Sequence, residues 1–219
     1  NVWTPRAAGA SAFEHHEYAE FRFAQVDILG ASGAAAAGGA DEPPFVLKAW
    51  AVAYPWEEEE SAFESSDDVL NSVWALSRDT LRATSLDTAT DSNTRERLPY
   101  EADTLVTGAS RLALQSDVEW ARHSFLHNLR NPTWPTEWRQ TGALLAHLHY
   151  MHANDTSLYE LMAEQLLDQS QVACVNATSG LVDFTQCARR TGGLGAGSQA
   201  QLKDIVDWPA ADRDGYVLT

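Results

Sequence analysis

Positive charge is scarce in this chain: 15 lysines and arginines stand against 31 aspartates and glutamates, a formal net charge of -16. A phosphate backbone needs a cationic footprint, so nucleic acid is excluded as a partner. Docking on anionic lipid is disfavoured for the same reason. No apolar run reaches the roughly 18 residues of a spanning helix, so no membrane span is expected. The chain opens Asn1-Val2-Trp3-Thr4-Pro5, with no Met, basic region or apolar leader. The expectation is a removed leader or a start inside a longer protein. No repeat recurs at a fixed period. Cysteine is also scarce: Cys174 and Cys187 are the two present, in a stretch of Ser, Thr, Asn and Gly. A local disulfide closing a surface loop fits them, with two buried thiols as the alternative. Two N-glycosylation sequons lie nearby, Asn154-Asp155-Thr156 and Asn176-Ala177-Thr178, whereas Asn131-Pro132-Thr133 is spoiled by its proline. Together these features give the expectation of a secreted or cell-surface glycoprotein.

Aromatic residues are plentiful, with eight Trp, seven Phe and six Tyr, which marks a folded chain. Residues 1–56 read as strand. Phe21, Phe23, Val26 and Ile28 alternate with a phase slip, and Phe45 to Trp56 alternates again. Between them, residues 30–44 are almost all Gly, Ala, Ser, Asp, Glu and Pro, a flexible loop with little to bury. Two strands with such a connection resemble the closing piece of a β-domain. Residues 57–65 begin with the acidic run Glu57 to Glu60 and read as a solvated linker. From residue 66 to 219 the period changes to helical. Ser66-Asp67-Asp68 caps a helix with Val69, Leu70, Val73, Trp74, Leu76 and Leu81 on its apolar side. A second starts near Tyr100 or Glu101, a third is capped by Asp117, a fourth covers 137–151 and a fifth covers 157–168. In the fifth, Leu158, Leu161, Met162, Leu166 and Leu167 point inward. One more short helix is expected from Gln199 to Val206, ended by Asp207-Trp208-Pro209. The fold class is therefore mainly α, with sequential helices packing as hairpins in either a toroid or a bundle.

The densest ionisable cluster lies between the first two helices: Asp87, Asp91, Arg95, Glu96, Arg97, Glu101 and Asp103. Asp91-Ser92-Asn93-Thr94 opposes helix continuation and Pro99 blocks it, so a polar loop enters a helix near Tyr100. Leu98 and Tyr100 serve as apolar anchors. Such a loop can hold a carboxylate over a cavity. Glycosidic cleavage needs one carboxylic acid to protonate the departing oxygen and one carboxylate to activate water or attack carbon. Further carboxylates can bind sugar hydroxyls or raise a neighbouring acid's pKa by repulsion. Arg95 and Arg97 can orient them. A salt-bridged surface loop and helix cap is the plainer account of the same residues.

Asp91-x-x-x-Arg95-Glu96-Arg97, with an aromatic at Tyr100 and an acid at Asp103, resembles the signature of the α-L-rhamnosidase family of glycoside hydrolases. The likeness continues at Asp207-Trp208-Pro209 and Arg213-Asp214-Gly215-Tyr216. Around Tyr18 to Val26 it resembles the end of the β-sandwich that precedes the family's catalytic domain. The resemblance implies part of an (α/α)6 toroid preceded by the last β-sandwich strands. It implies removal of terminal α-L-rhamnose with inversion and no cofactor. Glu96 would be the general acid, Asp91 and Asp103 part of the rhamnose-binding acidic cluster, and Arg95 a contact to substrate or carboxylate. Many members have Trp-x-Gly-Asp where this chain has Tyr100-Glu101-Ala102-Asp103, so Tyr100 would replace a Trp against the sugar. The family's general base is a Glu in the far half of the toroid. The chain ends at Thr219, so the base is expected on a downstream segment or second polypeptide. Glu119, Glu137 and Glu160 are not assigned that role.

Trp134-Pro135-Thr136-Glu137-Trp138 lies between helices, and Trp134 and Trp138 could form a sugar platform or simply pack the loop. His123, His127, His147, His149 and His152 fall at helical spacing without a carboxylate or Cys set, so no metal is expected. The partner expected is a rhamnose-containing glycoside or polysaccharide. The alternative is a non-catalytic carbohydrate-binding or structural subunit on the same fold, with an ordinary helical interaction domain as a further rival.

Overall fold

The computed structural model describes residues 4, 11–27 and 45–182. The chain divides into two compact units, Asn1–Val52 and Ala53–Thr219. In the described part of the first unit no strand is seen. The alternating residues Phe21, Phe23 and Val26 are there, but an extended segment becomes a strand only through a hydrogen-bonded ladder, and none is seen for them among the described residues. Phe21, Phe23, Val46 and Trp50 are exposed. Isolated bridges pair Ser85 with Ala89 and Val175 with Val182. Residues 30–44 and everything from 183 onward, including Cys187, Gln199 to Val206, Asp207-Trp208-Pro209 and Arg213-Asp214-Gly215-Tyr216, lie outside the described residues.

The described part of the second unit is helical. Its elements are α1 (Asp68–Thr84), α2 (Glu101–Leu114), α3 (Val118–Arg130), α4 (Thr136–Gln140), α5 (Gly142–Ala153) and α6 (Ser157–Gln169), then a 3-10 turn at Val172–Cys174. None of the helices is long and apolar enough to cross a membrane. Capping explains two of the starts. Asp67 Oδ1 accepts the Val69 N–H at 2.8 Å, and Asp117 Oδ1 accepts those of Glu119 and Trp120 at 3.1 and 3.3 Å. The single helix expected over 137–151 is two. At Thr141 both the N–H (3.0 Å) and the hydroxyl (2.7 Å) reach back to Trp138 O, a tight turn that ends α4 before Gly142 opens α5.

The core sits around α3, which packs against α2, α5 and α6. Trp120, Ala121, Phe125 and Leu129 of α3 are buried against Leu112, Leu145, Ala146, Leu158, Met162 and Leu166. Each large side chain contributes about 1.5–3 kcal/mol by leaving water. Gly108 of α2 lets Phe125 in, since a Cβ there would lie 2.5 Å from the ring's Cε1. On α6 the buried row is Leu158, Met162 and Leu166, four residues apart. Leu161 and Leu167, expected inward, lie off that row and are exposed. Helix α1 buries no residue at all.

The segment 53–60 is tied to the α2–α3 corner. Arg111 is buried with its guanidinium over the rings of Trp120 (4.6 Å), Tyr54 (5.0 Å) and Trp56 (5.0 Å), and its Nη2 donates to Pro55 O at 3.3 Å. Tyr54 donates its hydroxyl to Asp117 at 2.9 Å. Glu57 and Gln115 exchange two bonds of 2.9 Å between backbone and amide, and Ser116 donates its N–H to Glu60 Oε2 at 2.8 Å. The acidic run is exposed, as a solvated linker would be, yet it is tethered.

Candidate active site

The acidic loop runs from the end of α1 to the start of α2, and α3 fixes its first half. Trp120 Nε1 donates to Leu86 O at 2.8 Å, and Ala89 N donates to Ser124 Oγ at 3.1 Å. The single Thr90 hydroxyl proton is then shared between Thr84 O (3.2 Å) and Ser92 O (3.1 Å). The second half closes on itself. Asp91 N donates to Leu98 O and Leu98 N donates to Asp91 Oδ1, both at 2.9 Å. Arg97, at φ 54°, takes a left-handed backbone conformation that a non-glycine residue adopts at a cost of about 1–3 kcal/mol. This turn brings Leu98 back to Asp91. Leu98 itself is exposed, so it anchors the loop through its backbone and not as the apolar contact expected.

Glu96 sits at the bend. Its Oε2 accepts the Tyr100 hydroxyl at 2.9 Å, and its Oε1 is in ion-pair contact with Arg95 Nη2. The Glu96 side chain is 25% exposed while that of Arg95 is 80% exposed, so the acid is sheltered and the arginine reaches it from solvent. Burial is the main reason the Tyr100 phenol is pushed up to about 12, reinforced by the bond to Glu96 and by the negative charges of Glu96, Asp91 and Asp103. Tyr100 therefore remains a neutral donor to Glu96 over the ordinary pH range. Asp103 lies in the first turn of α2.

Both tryptophans belong to the same surface. The Tyr100 and Trp138 rings meet edge to face at 5.5 Å, and Trp134 lies tilted against Trp138 at 6.5 Å. Glu96, Tyr100, Trp138 and Trp134 thus form one continuous chain of contacts. Asp87 and His127 interact electrostatically some way along α3, and burial chiefly holds the His127 ring below its ordinary value. Among the described residues no group of three or more His, Cys, Asp or Glu could hold a metal ion.

Glu101 is the residue whose part in the site sequence reading missed. It was visible as one charge of the ionisable cluster, but nothing in its neighbours signals burial. It is completely buried, and its carboxylate accepts the Thr133 N–H at 2.6 Å and the Thr133 hydroxyl. Burial pushes the Glu101 carboxyl up, opposed by the Thr133 donors and the charge of Arg139. Arg139 Nε donates to Thr133 O at 2.5 Å. Elsewhere, Cys174 is disulfide-bonded, and the chain's other cysteine is Cys187. Asn154 is exposed at the α5–α6 corner, while Asn176 Oδ1 accepts the N–H groups of Thr178 (2.9 Å) and Ser179 (3.1 Å).

Chemically, the arrangement offers a sheltered carboxyl with two polar partners, two more carboxylates and an apolar aromatic surface beside them. Hydroxyls suit the first part and the C–H face of a sugar ring suits the second. Searches of curated proteins and of solved structures found no match. Residues 58–166 match the family model described as the bacterial alpha-L-rhamnosidase 6 hairpin glycosidase domain, so a rhamnosidase-family hairpin-glycosidase domain is present and spans both the acidic loop and the two tryptophans.

Proposed function

We propose that this chain carries the acid side of a glycoside-hydrolase site that removes terminal α-L-rhamnose with inversion. The observation that supports it best is the Glu96–Tyr100 bond beside a surface of aromatic rings. Glu96 is the proton donor to the departing glycosidic oxygen. Asp91 closes the loop through Leu98 and, with Asp103, faces the sugar hydroxyls and the positive charge that builds on the ring in the transition state. Arg95 contacts the acid and reaches toward substrate. Tyr100, Trp134 and Trp138 receive the ring's C–H face. The second carboxylate of the reaction is assigned to none of the described residues. Glu119 and Glu160 are exposed on helices, and Glu160 accepts the Thr156 hydroxyl at 2.7 Å. The mechanism uses no cofactor. The disulfide at Cys174 and the exposed sequon asparagine Asn154 support a secreted or cell-surface setting.

In the full-length protein, Glu96→Gln should lower release of rhamnose from an aryl α-L-rhamnoside at least about a hundredfold, the scale of general acid catalysis. Proton NMR of the first product should show the β-anomer. Wild-type turnover in the variant would remove Glu96 from the role. Rhamnose binding without turnover in the wild type would favour a carbohydrate-binding subunit instead.

A further inference from the structure

The three aromatic residues of the site share a feature that goes beyond their contacts with each other. Each is the sequence neighbour of one member of a polar group built on the buried Glu101: Tyr100 precedes Glu101, Trp134 follows the half-buried Thr133, and Trp138 precedes the half-buried Arg139. Thr133 is held at all three of its polar atoms. Its N–H and hydroxyl go to Glu101, and its carbonyl accepts from Arg139. The stretch between α3 and α4 has no helical bonds of its own to satisfy these groups, so they must be paired from outside. Glu101 can do this because it is the first residue of α2 and reaches out from a rigid helix start.

A completely buried carboxylate is a costly way to fill space, and an apolar side chain of similar volume would fill it more cheaply. Its two bonds both go to the residue before Trp134. We infer that Glu101 is a positioning residue: by clamping Thr133 to the start of α2 it sets Trp134 and Trp138 against Tyr100, and so fixes the surface that receives the sugar ring. The sugar-binding part rests on the function proposed above. The geometric part, that Glu101 sets the arrangement of the rings, does not.

Two readouts in the full-length protein keep these parts separate. Close tryptophan rings couple in the near-ultraviolet circular dichroism spectrum, and the Trp134→Phe difference spectrum identifies that contribution. Glu101→Gln and Thr133→Val should each lose it while still unfolding cooperatively. Thr133→Ser, which keeps both donors, should retain it. With L-rhamnose as the probe, Kd should rise about tenfold in Glu101→Gln and in Thr133→Val, the scale of a charge-assisted bond. KM for an aryl rhamnoside should rise likewise, while the pH profile of kcat stays in place because the Glu96–Tyr100 bond is separate. If Glu101→Gln fails to fold, the Thr133→Val and Thr133→Ser pair decides the matter alone. A folded Glu101→Gln, or a Thr133→Val, with the wild-type ring signal would overturn the inference. Should the wild type not bind rhamnose, the proposed function fails, and the ring signal still decides whether Glu101 positions the rings.

Discussion

Helices α1 and α3 begin alike, each capped by an aspartate whose side chain accepts N–H groups of the first turn. Both carry apolar residues at helical spacing. Yet α3 buries Trp120, Ala121, Phe125 and Leu129, whereas α1 leaves Val69 68% and Leu76 69% exposed and buries nothing. The difference is in what lies opposite. Helix α3 meets three other helices, and Gly108 of α2 makes room for its phenylalanine. An amphipathic pattern therefore specifies a helix and the side that is available to pack, but not whether a neighbour is there. The consequence reaches the candidate site. The acidic loop leaves α1 and is at once fastened to the buried helix, through Trp120 and Ser124.

The comparison can be broken by truncation. Phe125→Ala should cost about 3–5 kcal/mol in denaturant unfolding, because it removes a ring enclosed on all sides. Gly108→Ala should cost about 1–3 kcal/mol, since the added methyl overlaps that same ring. Val73→Ala on α1 should change stability by no more than about 0.5 kcal/mol. A loss at Val73 as large as that at Phe125 would mean that α1 is covered in the folded protein and the contrast is false. A smaller effect sharpens the picture of the loop. The Tyr100 phenol has a raised folded-state value, so its stabilising contribution is complete below its ordinary value of 10.0 and is lost as pH rises through about 12. Phenolate absorbance should show Tyr100 ionising late, with Tyr54 and Tyr159 also raised, and Glu96→Gln should move the Tyr100 transition down.

Much of this was legible in the sequence where one residue acts on its own backbone. Asp67 and Asp117 announced two helix starts because a capping oxygen needs only the N–H groups two or three positions on. The loop from Asp91 to Pro99 was legible because its residues resist helix. The spacing of Glu96 and Tyr100, four residues apart in that loop, suggested that they share one cluster, and the two are hydrogen-bonded. Features that depend on a distant partner were not legible. The alternation at Phe21, Phe23, Val46 and Trp50 suggested strands, but alternation says nothing of the ladder that a strand requires. The break at Thr141 came from a hydroxyl competing for Trp138 O. The burial of Glu101 depends on Thr133, 32 residues away.

On the proposed mechanism Glu96, sheltered and bonded to Tyr100, delivers the proton that lets the aglycone leave. The most direct test of this step compares leaving groups in the full-length protein. An alkyl rhamnoside needs that proton, whereas a dinitrophenyl rhamnoside departs as a stable anion without it. Glu96→Gln should lose at least about a hundredfold in kcat/KM on the alkyl substrate and far less on the dinitrophenyl one. Equal losses on both substrates, or none on either, would contradict the assignment.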